Sequence, residues 1–228
     1  MREISGGVYV VVPAYDEETA VYEVVRSLRT AFQNVVVVDD GSRDGTAVQA
    51  ARAGAVVLRH IVNRGQGAAL QTGIDYSLRR GAGVVVTFDA DGQHRVEDIS
   101  RMLDALEREG SDVVIGSRFL GPRSDVPPLR RGLLRLAARL TGLTTGVRLT
   151  DAHNGLRAFR REAAGKIRLT LDGMAHASEL VDEIHRHGLK VTEVPVVIHY
   201  SEYSLRKGQS SLAAFRIAFD YLMKRLFR

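Results

Sequence analysis

The sequence predicts an α/β fold: a mostly parallel sheet with helices packed on both of its faces. Three observations predict it. Short valine runs alternate with helical patterns through the first 120 residues. The runs are continuous rather than alternating, as in strands that are covered on both sides. Polar residues gather where the runs stop, and ligands bind at the carboxyl ends of strands in such sheets. Those ends are Tyr15-Asp16-Glu17, Asp39-Asp40, Asp89 with Asp91, and Ser117-Arg118.

Each element follows from its own pattern. "GVYVVVPA" predicts a strand ending at Pro13. "DEETAVYEVVRSLRTAF" predicts a helix capped by Asp16, with Glu17 and Glu18 at its positive end and Val21, Val24, Val25 and Leu28 on one face. "NVVVVDDGS" is a second strand and a turn, and "DGTAVQAARAG" a short helix closed by Gly54. "AVVLRH" is a third strand. "GQGAALQTGIDYSLRRG" is a helix carrying Leu70, Ile74 and Leu78, and "GVVVTFDADG" a fourth strand. "VEDISRMLDALEREG" turns Ile99, Met102, Leu103 and Leu106 inward, and "SDVVIGSRF" is a fifth strand.

Beyond Leu120 the pattern loosens. "GPRSDVPP" reads as a loop and "LRRGLLRLAARLTG" as a basic amphipathic helix. "DAHNGLRAFRR" reads as a turn and strand, "ASELVDEIHRHG" as a helix and "KVTEVPVVIHY" as a strand. A polar loop, "SEYSLRKGQSS", precedes a last helix, "LAAFRIAFDYLMKRLFR". No repeat, low-complexity tract or linker divides the chain, so a single domain is expected over 1–228.

Composition narrows the function classes. With 45% hydrophobic and 26% charged residues the chain can bury a core. It has no cysteine, which excludes disulfides and thiolate metal sites and agrees with a reducing compartment. "MREISGG" lacks the apolar stretch of a signal peptide, and no apolar run is long enough to predict a membrane-spanning helix. The net charge is +5, with the basic excess in the second half. Such an excess attracts phosphate, nucleic acid or an anionic membrane, or simply forms a solvated face. A nucleic-acid partner is not expected: aromatics are 6% and the strand ends are acidic.

The motifs carry the chemistry. Asp89, Asp91 and Gln93 put three oxygen donors within five residues, a set that suits Mg²⁺ or Mn²⁺ completed by substrate phosphates. The plainer alternative is that Asp91 caps the next helix. Asp39-Asp40-Gly41-Ser42 offers carboxylates to a nucleobase N–H or a ribose hydroxyl, or is simply turn chemistry. "NRGQGAAL" lets a ligand approach the backbone, or serves as a flexible loop. No GxGxxG follows the first strand and no GxxxxGK[ST] occurs, which argues against dinucleotide oxidoreductases and P-loop NTPases.

"VVPAYDEE", "VVVVDDGSRDGTA", "NRGQGAALQTGI", "FDADGQH" and "VVIGSRF", in this order and spacing, resemble the family-2 glycosyltransferases of GT-A, Rossmann-like fold. The nearest branch resembles the dolichyl- or polyprenyl-phosphate sugar synthases. The resemblance implies a nucleotide-sugar-binding half over 1–120 and an acceptor-facing half over 121–228 with a C-terminal amphipathic helix. It implies that Pro13, Ala14, Tyr15 and Glu17 line the nucleotide pocket, that Asp39 contacts base or ribose, and that Asp40 supports it. Gln66 and Gly67 would lie beside the nucleotide. Asp89, Ala90 and Asp91 would meet the donor, with Asp89, Asp91 and Gln93 holding the metal. Ser117, Arg118 and Arg131 would face the sugar or acceptor phosphate. Arg206, Lys207 and Ser210 match, imperfectly, a late basic loop that closes over the diphosphate; Ser211 stands where that branch often has a lysine.

The implied reaction is inverting, metal-dependent transfer of a hexose from a GDP-mannose or UDP-glucose type of donor to a polyprenyl or dolichyl phosphate. Asp91, Arg118 and Arg131 are the expected catalytic residues. The alternatives are transfer to a saccharide hydroxyl of an envelope glycan, which would need a base, or a non-catalytic nucleotide-sugar-binding subunit. Asp151, Glu179 and Asp182 are the base candidates, and turn and surface roles fit them better. His153, His185 and His187 read as surface residues, and no fixed role falls to His94. The basic helix over 129–140 and the last helix suit a membrane surface or core packing equally. The expected place is the cytoplasmic face of a membrane, with a membrane-spanning partner as an option.

Overall fold

The computed structural model describes residues 6–121, 147, 149–171 and 175–199, together with Gly132 and Gly142. The expected basic helix, the late loop and the last helix lie outside the described residues. So do Arg131, Arg206, Lys207 and Ser210.

Strands β1 (Gly7–Ala14), β2 (Asn34–Asp39), β3 (Val56–Arg59), β4 (Ala82–Thr87), β5 (Val113–Ser117), β6 (Arg157–Arg160) and β7 (Val191–Pro195) form one sheet. Its order is β3-β2-β1-β4-β6-β5-β7. All neighbours run parallel except β6, which is antiparallel to both β4 and β5. The mostly parallel sheet flanked by helices is therefore as the valine runs predict. β6 and β7 bring the second half of the chain into the same sheet as the first.

The helices are α1 (Glu18–Arg29), α2 (Thr46–Arg52), α3 (Gln66–Arg79), α4 (Val96–Arg108), α5 (Arg161–Lys166) and α6 (His176–Arg186). Continuous valine runs make sense because each strand feeds two cores by turns. Val10, Val12, Val35, Val37, Val84 and Val86 pack with Leu28 of α1 and Ile99, Met102 and Leu106 of α4. Val11, Val36, Val38, Val85 and Phe159 pack on the other face with Leu70 and Ile74 of α3 and Leu180 and Ile184 of α6. Each such side chain stabilises the fold by roughly 1.5–3 kcal/mol on burial. The short helix α5, which buries Ala163 and Ala164, was not expected from the sequence.

Asp16 does not cap α1. It sits at φ 52°, and its Oδ1 accepts the Arg43 amide at 2.9 Å. The caps come from the neighbouring loop: Asp44 Oδ2 accepts the Glu18 amide at 3.1 Å, and Thr46 Oγ1 accepts that of Glu17 at 2.8 Å. The β1–α1 and β2–α2 loops lie side by side at the strand ends, so one loop supplies the donors of the other's helix with acceptors.

Candidate active site

β4 runs between β1 and β6 and delivers Asp89 and Asp91 to the carboxyl edge of the sheet. Asp89 is gripped from two sides. Gln66 Nε2, on the first turn of α3, donates to Oδ1 at 3.2 Å, and His94 Nε2 lies 3.0 Å from Oδ2. The His94 ring is itself held edge-on to Phe88, with centroids 5.5 Å apart. Burial pushes the Asp89 carboxyl up, but the His94 hydrogen bond and the charges of His94, Arg157 and His176 outweigh it, and the net direction is down. Asp91 goes the other way. Burial and then the Asp89 charge push it up to about 6, against the Gln93 amide, which donates to its Oδ1 at 3.1 Å.

Behind this pair lies a cation that reading the sequence missed. Arg157, on β6, is 2% exposed, and its Nε has no hydrogen-bond partner. Burial pulls the guanidinium down to about 10, while Asp89 and Asp151 hold it up, so it stays charged at neutral pH. Gly155, two residues before it, lies directly against the Asp89 carboxylate; a Cβ there would sit 2.5 Å from Asp89 Cγ. Its carbonyl accepts Thr87 Oγ1 at 2.7 Å, which ties this turn to β4.

Asp151 joins the third wall. Buried, it accepts the Arg118 amide at 3.1 Å and Arg118 Nε at 2.6 Å. Glu193 of β7 holds the turn from beneath by accepting the amides of Thr150 and Asp151. Ser117 is fully buried and shares a 2.6 Å hydrogen bond with Thr150 Oγ1. His153 is half-buried rather than on the surface, because the turn folds inward beside Asp151; burial lowers its pKa. Glu179 spans the start of the next loop by accepting the amides of Thr170 and Leu171. His185 and His187 are exposed.

A second region opens beside the ends of β1, β2 and β3. A cleft of about 590 Å³ is lined by Tyr15, Arg43, Arg59, His60 and Asn63 among others. Asp39, 0% exposed, lies under it; Ser42 N donates to its Oδ1 at 3.0 Å. Asp40 is committed to the frame. It takes His60 Nδ1 at 2.7 Å and the amides of Arg64 and Gly65 at 2.9 and 2.6 Å, which fixes the loop that opens α3. Pro13 and Ala14 end β1 in register with Val38 and Asp39, and Glu17 is buried close enough to Asp91 to raise its pKa. Gly67, on the first turn of α3, packs against the Leu171 carbonyl and His176, where a side chain has no room. Ala90 is buried between the two aspartates.

The comparisons with known proteins agree with this arrangement. The family model described as glycosyl transferase family 2 matches residues 9–168. The chain belongs to glycosyltransferase family 2. An uncharacterized protein of Methanocaldococcus jannaschii is 40% identical, over 96% of this chain and 93% of its own length. The UDP-N-acetylglucosamine–dolichyl-phosphate N-acetylglucosaminyltransferase of Methanococcus voltae is 30% identical over 96% of each. The polyprenol monophosphomannose synthase of Mycolicibacterium smegmatis is 34% identical over 92% of this chain and 84% of its own. Among solved structures, glucosyl-3-phosphoglycerate synthase from Mycobacterium tuberculosis, in complex with Mn²⁺ and UDP-glucose, superposes with a TM-score of 0.75. It is 20% identical, covering 97% of this chain and 79% of that one, and shows the GT-A fold.

As a family-2 glycosyltransferase the chain is an enzyme. Its two strand-end carboxylates fit a divalent cation: two partly buried acids repel each other strongly enough to lift one of them to about 6. A cation between them relieves that repulsion. Among the described residues no three acidic or histidine side chains form a ligand group, so phosphate and water oxygens would complete the shell.

Proposed function

We propose that the enzyme moves a hexose from a nucleotide sugar to a polyprenyl phosphate, with inversion. The observation that carries this is the convergence of Asp89 and Asp91 with the cleft over Asp39 at one edge of the sheet. The relatives named for dolichyl phosphate and polyprenol support the acceptor.

In this reading the base and ribose occupy the cleft over Asp39, bordered by Tyr15, and the diphosphate runs past Gln66 and Gly67 towards Asp89, Asp91 and Gln93. Mg²⁺ or Mn²⁺ bound by these residues would neutralise charge on the leaving diphosphate. The acceptor phosphate oxygen attacks the anomeric carbon from the face opposite the diphosphate. The bond to the diphosphate breaks, its oxygen keeps the electron pair, and the configuration inverts. A phosphate is ionised at neutral pH and needs no general base. Asp151 and Glu179 suit this: both are engaged by donors of their own chain. Arg118, held on Asp151, faces the acceptor side with Ser117. Arg131, Arg206, Lys207 and Ser210 complete the phosphate contacts in this reading.

The enzyme would work at the cytoplasmic face of a membrane, against the lipid surface or a spanning partner. Among the described residues no helix is long and apolar enough to cross a membrane. The test is incubation of the full chain with labelled nucleotide sugars, Mn²⁺ and undecaprenyl phosphate, followed by organic extraction. Label in the organic phase supports the reading. Label only in an aqueous glycan, or none with any donor, sinks it.

A further inference from the structure

We infer that the cleft selects a uracil base over guanine, an inference that rests on the nucleotide-sugar reading above. It starts from the two carboxylates that end β2. Asp40 has no capacity to spare for a base: His60, Arg64 and Gly65 all donate to it. Asp39 is half used. Its Oδ1 accepts the Ser42 amide, and its Oδ2 is buried without a hydrogen bond. A buried carboxylate oxygen in this state is an acceptor waiting for one donor.

What covers that oxygen is Arg59. Its Nε lies 3.1 Å from Oδ2 without the alignment of a hydrogen bond, and its Nη2 donates to the Ser42 carbonyl at 3.0 Å. The Arg59 side chain is 59% exposed and lines the cleft, so it can turn outward and stay within reach of a ligand seated there. Arg43 lines the same cleft. The cleft therefore offers one carboxylate oxygen flanked by cationic donors.

Uracil matches that pattern. Its imide edge reads carbonyl, N–H, carbonyl: the N–H meets Asp39 Oδ2, and a flanking carbonyl meets Arg59. The corresponding edge of guanine reads carbonyl, N–H, amino. Its two adjacent donors call for both oxygens of one carboxylate, and Ser42 already holds the other. The guanine amino group would then face arginine donors and lose a partner on leaving water, a mismatch that buried polar sites reject strongly. Cytosine and adenine have a bare ring nitrogen in place of the imide N–H and would set an acceptor against the carboxylate.

The test is calorimetric titration of the full chain with UDP, GDP and CDP, each with Mn²⁺, on the wild type and Asp39→Asn. Asparagine keeps an oxygen for the Ser42 amide, and thermal melting checks that the variant is folded. UDP is expected to bind at least about tenfold tighter than GDP or CDP, a difference of about 1.4 kcal/mol. Asp39→Asn is expected to erase most of that preference. Equal or tighter binding of GDP overturns the inference while leaving the nucleotide-sugar reading intact, and so does a folded Asp39→Asn that keeps the wild-type preference for UDP. Failure of all three to bind overturns the nucleotide-sugar reading, and the base preference with it.

Discussion

Gly155→Ala should cripple the enzyme while leaving it folded. A methyl group at this position would lie 2.5 Å from Asp89 Cγ and closer still to both carboxylate oxygens. Ordinary carbon contacts are about 3.5–4.0 Å, so something must move by about 1 Å. The Gly155 backbone cannot easily retreat, because its carbonyl accepts Thr87 Oγ1 at 2.7 Å. Losing that bond would cost about 1 kcal/mol. The carboxylate has the easier path: it swings away from Gln66 and His94, its two donors. A displacement of about 1 Å in a positioned group can cost about a hundredfold in rate. Relieving the overlap should cost about 1–3 kcal/mol in stability. The assay is Mn²⁺-dependent sugar transfer beside a thermal melt, with Gly165→Ala as control. Gly165 is exposed on α5 with no heavy atom near its would-be Cβ, so that variant should keep full activity and gain up to about 1 kcal/mol. Wild-type transfer and metal affinity in Gly155→Ala would refute the placement of Asp89 on this glycine as a requirement for catalysis.

Other predictions follow from the same network. Asp91 is raised from 3.8 to about 6, first by burial and then by Asp89. A raised acid stabilises the fold only while protonated. The metal-free protein should therefore lose stability as pH climbs from about 4 through about 6, by at most about 3 kcal/mol. Asp91→Asn should flatten that slope in melts taken across the range, gain stability at neutral pH and abolish transfer. Arg157→Met leaves Asp89 and Asp151 without their buried cation and should cost about 3–5 kcal/mol in urea unfolding. Arg157→Lys, which keeps the charge, should cost less. Asp44→Ala removes the cross-loop cap of α1 and should lower stability by about 1 kcal/mol, or about 2–4 °C in melting temperature, with little effect on metal affinity.

The first half of the fold was legible because its signals are local. Valine runs flanked by amphipathic helices need no distant partner to be read, and "FDADGQH" announces its carboxylates at the end of such a run. The site was less legible where it depends on contacts across the chain. Arg157 reads as an ordinary charge in "GLRAFRR", yet β6 inserts between β4 and β5 and buries it. The signal available was its place in the apolar alternation of Leu156, Ala158 and Phe159, which marks a strand enclosed on both sides. Gly155 carries no chemistry of its own, and only the fold shows that Asp89 rests on it. Asp16 looked like the cap of α1 because it precedes the helix, but the acceptors come from Asp44 and Thr46 on another loop.

The most direct measurement is the thermal shift produced by nucleoside diphosphates with and without Mn²⁺, on the wild type and Asp91→Ala. A ligand at a hundredfold over its dissociation constant should stabilise the native state by about 2.7 kcal/mol. A shift that requires Mn²⁺ and disappears in Asp91→Ala is the predicted result, with the carboxylate pair holding the donor through its metal. A shift of equal size in Asp91→Ala, or none in the wild type with any nucleotide, would contradict it and leave the pair a structural feature of the strand end.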